Sequence, residues 1–170
     1  IEVQAVDEHG NNKRENISFD IIPVQTILDL NLSLTIVQPE QTIEFTPLLY
    51  DQANDPLIKK IDLKISDPKG KIKAKQTLTT KEFASFTLPQ YALPGQWSIE
   101  LSTPEIEHTF TFQVQEVKNK TLMLQQESLI IQNTGNILLS EIVTITLKPA
   151  TGQEITFNKK IDLNPGEQKS

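Results

Sequence analysis

Two histidines, 22 acidic residues and no cysteine are what this 170-residue chain offers to chemistry. Nucleophilic catalysis needs an imidazole beside an activated Ser, Thr or Cys. His9 falls in a loop and His108 at the start of a strand, and nothing in the pattern sets a serine beside either. The acids are scattered singly over strand exteriors and turns, so no carboxylate pair stands out. The absence of cysteine removes disulfides, zinc thiolates and thiol nucleophiles together. The densest group of oxygen donors is Asp7-Glu8-His9-Gly10-Asn11-Asn12. Calcium wants about six to eight oxygens, and this run lacks the EF-hand spacing and its terminal bidentate Glu. Asp and Asn are favoured in turns on their own account, so the run reads as a turn. No glycine-rich loop leads into a helix, which leaves phosphate without a cradle. The expectation is therefore a non-catalytic chain with no cofactor and no metal. One pattern remains: Asn16-Ile17-Ser18, Asn31-Leu32-Ser33 and Asn119-Lys120-Thr121 are N-x-S/T sequons, making Asn16, Asn31 and Asn119 candidate N-glycosylation sites.

The elements that would carry these residues are strands. Leu28, Leu30, Leu32, Leu34 and Ile36 alternate with polar residues; so do Ile61, Leu63 and Ile65; so do Trp97, Ile99 and Leu101. Phe110, Phe112 and Val114 repeat the pattern, as do Val143, Ile145 and Leu147. Period-two alternation is how half-buried strands read, because successive side chains point to opposite faces. Trp97 shares parity with Ile99 and Leu101 and is expected in the core. Thr109 and Thr111 have the opposite parity to Phe110 and Phe112 and should face solvent. Asn31 is opposite in parity to the leucine stripe and should be exposed. No window shows helical periodicity.

Net charge is −6, which argues against a nucleic-acid surface built of clustered Lys and Arg. The one basic run, Lys69, Lys71, Lys73 and Lys75, alternates with Gly70, Ile72, Ala74 and Gln76. It reads as the wet face of an edge strand, where lysine discourages sheet-to-sheet association. No stretch approaches the roughly 20 apolar residues of a membrane span.

Turn signals divide the chain into three. Residues 1–22 read as the closing hairpin of a preceding module, with Ile1, Val3 and Ala5 on one strand and Ile17, Phe19 and Ile21 on the other. Residues 23–117 hold seven strand candidates, at 26–37, 42–50, 58–66, 71–78, 82–88, 96–102 and 108–117. Breaks such as Asn54-Asp55-Pro56, Asp67-Pro68-Lys69-Gly70 and Leu93-Pro94-Gly95 separate them. Seven short strands at roughly ten-residue spacing are the signature of a sandwich. Residues 118–170 give further strands around Leu122 and Leu124, Leu129 and Ile131, 141–148 and 154–163, and read as a partial sandwich. The expected fold class is all-β, a tandem of immunoglobulin-like β-sandwiches. The short connections at 23–25 and 116–119 should hold neighbours close.

Residues 38–117 resemble a bacterial or archaeal immunoglobulin-like module of the macroglobulin type. The resemblance is carried by Pro39-Glu40-Gln41-Thr42, by Ile65-Ser66-Asp67-Pro68-Lys69-Gly70-Lys71, and by Leu93-Pro94-Gly95-Gln96-Trp97-Ser98-Ile99. Residues 129–169 look like the cell-adhesion-related and carbohydrate-enzyme-associated (NPCBM-associated-like) modules, through Asn133-Thr134-Gly135-Asn136 and Leu163-Asn164-Pro165-Gly166-Glu167. These are turn motifs and speak for a fold more than for a function. The resemblance implies a structural or adhesive segment of an extracellular or cell-surface protein. Its expected partners are neighbouring domains of the parent chain, other surface proteins or glycans. The alternative is an accessory region of a secreted glycosidase or protease whose catalytic domain lies outside this segment. A further reading is an arm of a protease-trapping macroglobulin-like protein.

Overall fold

The computed structural model describes residues 2–16, 18, 20, 22–126 and 128–170. It is all-β, with no helix among them. The strands are β1 (Glu2–Val6), β2 (Asn12–Asn16), β3 (Gln25–Leu32), β4 (Ile36–Val37), β5 (Thr42–Asp51), β6 (Lys60–Ser66), β7 (Ile72–Thr79) and β8 (Ala84–Thr87). They continue with β9 (Gly95–Ser102), β10 (Glu107–Val114), β11 (Lys120–Gln125), β12 (Ser128–Asn133), β13 (Leu139–Leu147), β14 (Ile155–Leu163) and β15 (Gln168–Lys169). No helix in the described residues is long and apolar enough to cross a membrane.

The central module is a two-sheet sandwich. One sheet has the order β4-β10-β9-β6-β7 and the other β3-β5-β8. Ile61, Leu63 and Ile65 on β6 meet Trp97, Ile99 and Leu101 on β9, all fully buried. Ile43, Phe45 and Leu49 on β5 close the core from the other sheet. Trp97 lies between Phe86 and Phe112, at ring-centroid distances of 6.3 and 5.9 Å. Its indole N–H donates to the Leu93 carbonyl at 2.8 Å, which satisfies the one polar atom this ring carries inward. Thr109 and Thr111 face solvent, as their parity requires. β7 is an edge strand with Lys73 and Lys75 exposed on it, whereas Lys69 and Lys71, expected on the same face, belong to the Asp67 turn that precedes it.

The expected strand 26–37 is two strands. β3 pairs with β5, whereas β4 runs parallel to β10 in the opposite sheet. The chain crosses the sandwich between them, and the parity resets on the way. Leu28 and Leu30 are buried, but Leu34 and Ile36 are exposed and Val37 takes the inward place. An unbroken leucine stripe thus conceals a change of sheet.

In the first unit β1 pairs with β2. Its partner strand is therefore the polar run Asn12–Asn16, which carries no apolar alternation. The expected partners Ile17, Phe19 and Ile21 lie outside the described residues, as does Ile1. The third unit has β11-β12-β15 on one side and the β13-β14 hairpin on the other. Ile131, Leu139, Ile161 and Leu163 form its small core, while Leu147, Ile155 and Phe157 at the far end of the hairpin stay about half exposed.

One turn design recurs three times. Asp7, Asp51 and Asp67 each accept backbone hydrogen bonds on the carboxylate from the residues two and four positions on: His9 and Asn11, Ala53 and Asp55, Lys69 and Lys71. In each the third following residue donates its N–H back to the Asp carbonyl. That residue has positive φ, at 81° for Gly10, 64° for Asn54 and 76° for Gly70. Gly and Asn are the residues that enter this region at least cost. The oxygen-rich run at Asp7 is thus one copy of a loop-closing device.

Asp67 is buried, and burial pushes its carboxyl up. The Lys71 backbone N–H, the Lys73 ammonium at 3.1 Å and the Lys69 N–H outweigh that and hold it below the ordinary value of 3.8. A depressed folded-state value contributes stability above the unfolded value, lost as pH falls through the folded one. Asp67→Asn is therefore expected to lower the denaturation midpoint at neutral pH. The gap to the parent should narrow as both are acidified below about pH 4, where the unfolded carboxyl protonates. Urea titrations at pH 7, 4 and 2.5 would read this, and a gap constant with pH would refute it.

Candidate functional site at the module joint

Buried side-chain hydrogen bonds gather around Asn133 and Asn136, beside the connection from β10 to β11. β12 alternates inward at Leu129 and Ile131, and the next residue of that parity is Asn133, which is fully buried. Its amide donates to the carbonyls of Ile137 at 2.8 Å and Leu163 at 2.9 Å, and its oxygen accepts from the Gly135 N–H at 2.9 Å. Its backbone takes a hydrogen bond from Gly166 and gives one to Glu167. Asn133 thereby ties the Asn133–Asn136 turn to the Asn164–Glu167 turn within the third unit.

Asn136 does the same between units. It is 2% exposed. Its amide donates to the carbonyls of Ala92 and Gln115, each at 2.9 Å. Its side-chain oxygen accepts from the Val117 N–H at 2.6 Å, and its own N–H donates to the Val117 carbonyl at 2.9 Å. An asparagine side chain has two N–H donors and an oxygen acceptor, and here all of them are engaged with main chain. The partners are a turn of the central sandwich and both ends of the connection leaving β10. The backbone thus takes one path through 115–117.

Close packing completes the joint. Thr134 and Gly135 donate to the Asn119 carbonyl at 3.0 and 3.1 Å. A Cβ on Gly135 would stand 2.1 Å from the Val117 carbonyl oxygen, so only glycine fits. Gly166 lies under the Tyr91 ring, where a Cβ would approach its carbons to 3.0 Å. Lys118 and Lys120 both pair with Glu141 at the rim. Exposed pairs of this kind contribute little, so the buried amide hydrogen bonds carry the joint.

The joint draws in none of the residues with catalytic potential. His9 sits in the β1–β2 turn, and its backbone N–H serves Asp7. His108 is exposed and packs its ring on Phe110 at 4.6 Å. The sequon asparagines Asn16, Asn31 and Asn119 are all exposed, and Asn119 borders the joint. Sequence reasoning took Asn133-Thr134-Gly135-Asn136 for a turn and missed the two buried amides. The signal for Asn133 was present in the β12 alternation. Asn136 had none, because its partners are 44, 21 and 19 positions away.

No curated protein matches the chain. Residues 34–114 match the MG2 domain. Among solved structures, trypsin-activated alpha-2-macroglobulin from Escherichia coli aligns with 99% of this chain at 12% identity and a TM-score of 0.51. The same protein activated by porcine elastase aligns with 83% at 12% identity and a TM-score of 0.49. Salmonella alpha-2-macroglobulin reacted with methylamine aligns with 96% at 11% identity and a TM-score of 0.45. The chain spans 15%, 17% and 14% of those proteins respectively. The central sandwich thus carries a macroglobulin-type domain match, and the chain shares its fold, at low identity, with a segment of bacterial alpha-2-macroglobulin.

Proposed function

We propose that this chain is a non-catalytic strut in an extracellular or cell-surface protein built of immunoglobulin-like modules, and that its work is to hold successive modules at a set angle. The units would be residues 1–22, 23–117 and 118–170, with the second and third acting as one body. The observation that carries this reading is Asn136, whose side chain joins three main-chain groups of the neighbouring unit and its connection. Inter-domain contacts within a chain ordinarily permit relative motion. A buried asparagine with every amide donor engaged resists it, because opening the joint exchanges each of those hydrogen bonds for one to water, at a net cost of about 0.5–1.5 kcal/mol each.

The MG2 match over residues 34–114 and the fold shared with bacterial alpha-2-macroglobulin favour placing the strut in a macroglobulin-like arm. Adhesion, or service beside a secreted enzyme, would use the same rigidity with a different neighbour. Backbone 15N relaxation on the whole chain tests the strut. Residues of the second and third units are expected to report one common rotational correlation time and one diffusion tensor. Separate, shorter correlation times for the two units would overturn the reading.

A further inference from the structure

We propose that Asn31 is a glycan-bearing residue and that Phe83 is the platform on which its first sugars lie. Three observations meet on the outer face of the β3-β5-β8 sheet. Asn31 opens the sequon Asn31-Leu32-Ser33, is exposed on the edge strand β3, and its side-chain amide makes no hydrogen bond to the described residues. Phe83 is 63% exposed, although nothing in the fold of this module requires an aromatic ring in water there. Both line one shallow cleft of about 260 Å³, together with Ser33, Glu44 and Thr46.

The register explains how they come together. Asn31 pairs with Thr46, and Ala84 pairs with Phe45. Carrying the second ladder one residue further sets Phe83 opposite Thr46. Asn31, Thr46 and Phe83 therefore form one row across three strands, the outer two separated by two strand spacings, about 10 Å. An N-linked sugar leaving Asn31 passes over Thr46, and its apolar C–H face can cover the ring. That burial gives an otherwise exposed aromatic the contact that large rings usually find. Glu44 and Thr46 flank the path with acceptors and a hydroxyl for the sugar's own hydroxyls.

In the folded chain the Ser33 hydroxyl already accepts a hydrogen bond from the Glu44 N–H at 3.0 Å. The Asn31 amide nitrogen bonds to the anomeric carbon of a sugar carried on a lipid diphosphate. The anomeric C–O bond breaks with its electron pair leaving on the phosphate, and the amide proton passes to the transferase's base. Asn16 and Asn119 are exposed as well, but the cleft that Asn119 lines with Lys118, Lys120, Leu139 and Glu141 holds no aromatic ring.

The test is secretion of the whole chain from a host whose transferase recognises N-x-S/T, followed by glycopeptide mapping and thermal melts. Asn31 is expected to be occupied. Enzymatic removal of the whole glycan should lower Tm by about 2–4 °C, the shift that roughly 1 kcal/mol makes in a chain of this size. An endoglycosidase that leaves the first sugar should preserve most of that gain. In Phe83→Ser, which changes only an exposed ring, removing the glycan should leave Tm unchanged. Asn31→Gln, melted alongside, separates loss of the sugar from the Asp that amidase treatment leaves behind. An unoccupied Asn31, or equal melting with and without sugar in the parent, would overturn the proposal.

Discussion

Replacing Gly135 by alanine is expected to unseat the third unit from the second. The added methyl would stand 2.1 Å from the Val117 carbonyl oxygen and 2.7 Å from the Asn119 nitrogen. Both are main-chain atoms, and the Val117 oxygen is held by the Asn136 N–H, so no flexible side chain can give way. The Thr134–Asn136 turn has to lift instead. It then loses the two hydrogen bonds to the Asn119 carbonyl and draws the Asn136 amide from its three partners. Overpacking alone costs about 1–3 kcal/mol, and stranding several buried polar groups adds to it. Among its described residues the third unit has a small core of four buried apolar side chains to set against that loss. The expected outcome in urea is two transitions: an early one for the third unit, moved down by about 3 kcal/mol, and a late one for the central sandwich near the parental midpoint. Tryptophan emission follows the late one alone, since Trp97 is the only indole and lies in the central core. A single transition at the parental midpoint would mean that the main chain at 117–119 yields without cost.

How far the fold could be read in advance depends on whether the information was local. The alternation of Ile61, Leu63 and Ile65 and of Trp97, Ile99 and Leu101 was enough to place β6 and β9, because each residue's burial is set by its own strand. Leu34 and Ile36 misled, since the reset of parity is caused by β4 joining the sheet opposite to β3, a long-range event. β2 was hidden for another reason. An exposed hairpin needs no apolar face, so Asn12–Asn16 shows no periodicity, and its pairing follows from the Asp7 turn. That turn was legible as a turn, but only the structure reveals that Asp7, Asp51 and Asp67 close their loops in the same way. The joint was the least legible of all. Asn133 could have been suspected of being buried, whereas the value of Asn136 lies in carbonyls brought to it by two other turns.

Asn136→Ala is expected to show what that long-range bonding does. The truncation leaves the carbonyls of Ala92 and Gln115 and the N–H of Val117 without their partner, in a place that water reaches poorly. Each orphaned group costs about 1–3 kcal/mol, so a total near 3 kcal/mol or more is expected if the joint stays closed. Opening the joint to water avoids that cost, which makes the open form the favoured one. Asn133→Ala is the informative comparison. It removes hydrogen bonds to Ile137, Leu163 and Gly135, all within the third unit, and should destabilise that unit itself. The two variants therefore separate by readout. With Asn136→Ala, the amide protons of the third unit should stay protected while its 15N relaxation departs from that of the second. With Asn133→Ala, protection in β12 and β14 should fall first. If Asn136→Ala leaves the common correlation time intact, the Tyr91–Gly166 contact and the Asn119 hydrogen bonds hold the joint without it, and the angle between modules is set by packing instead.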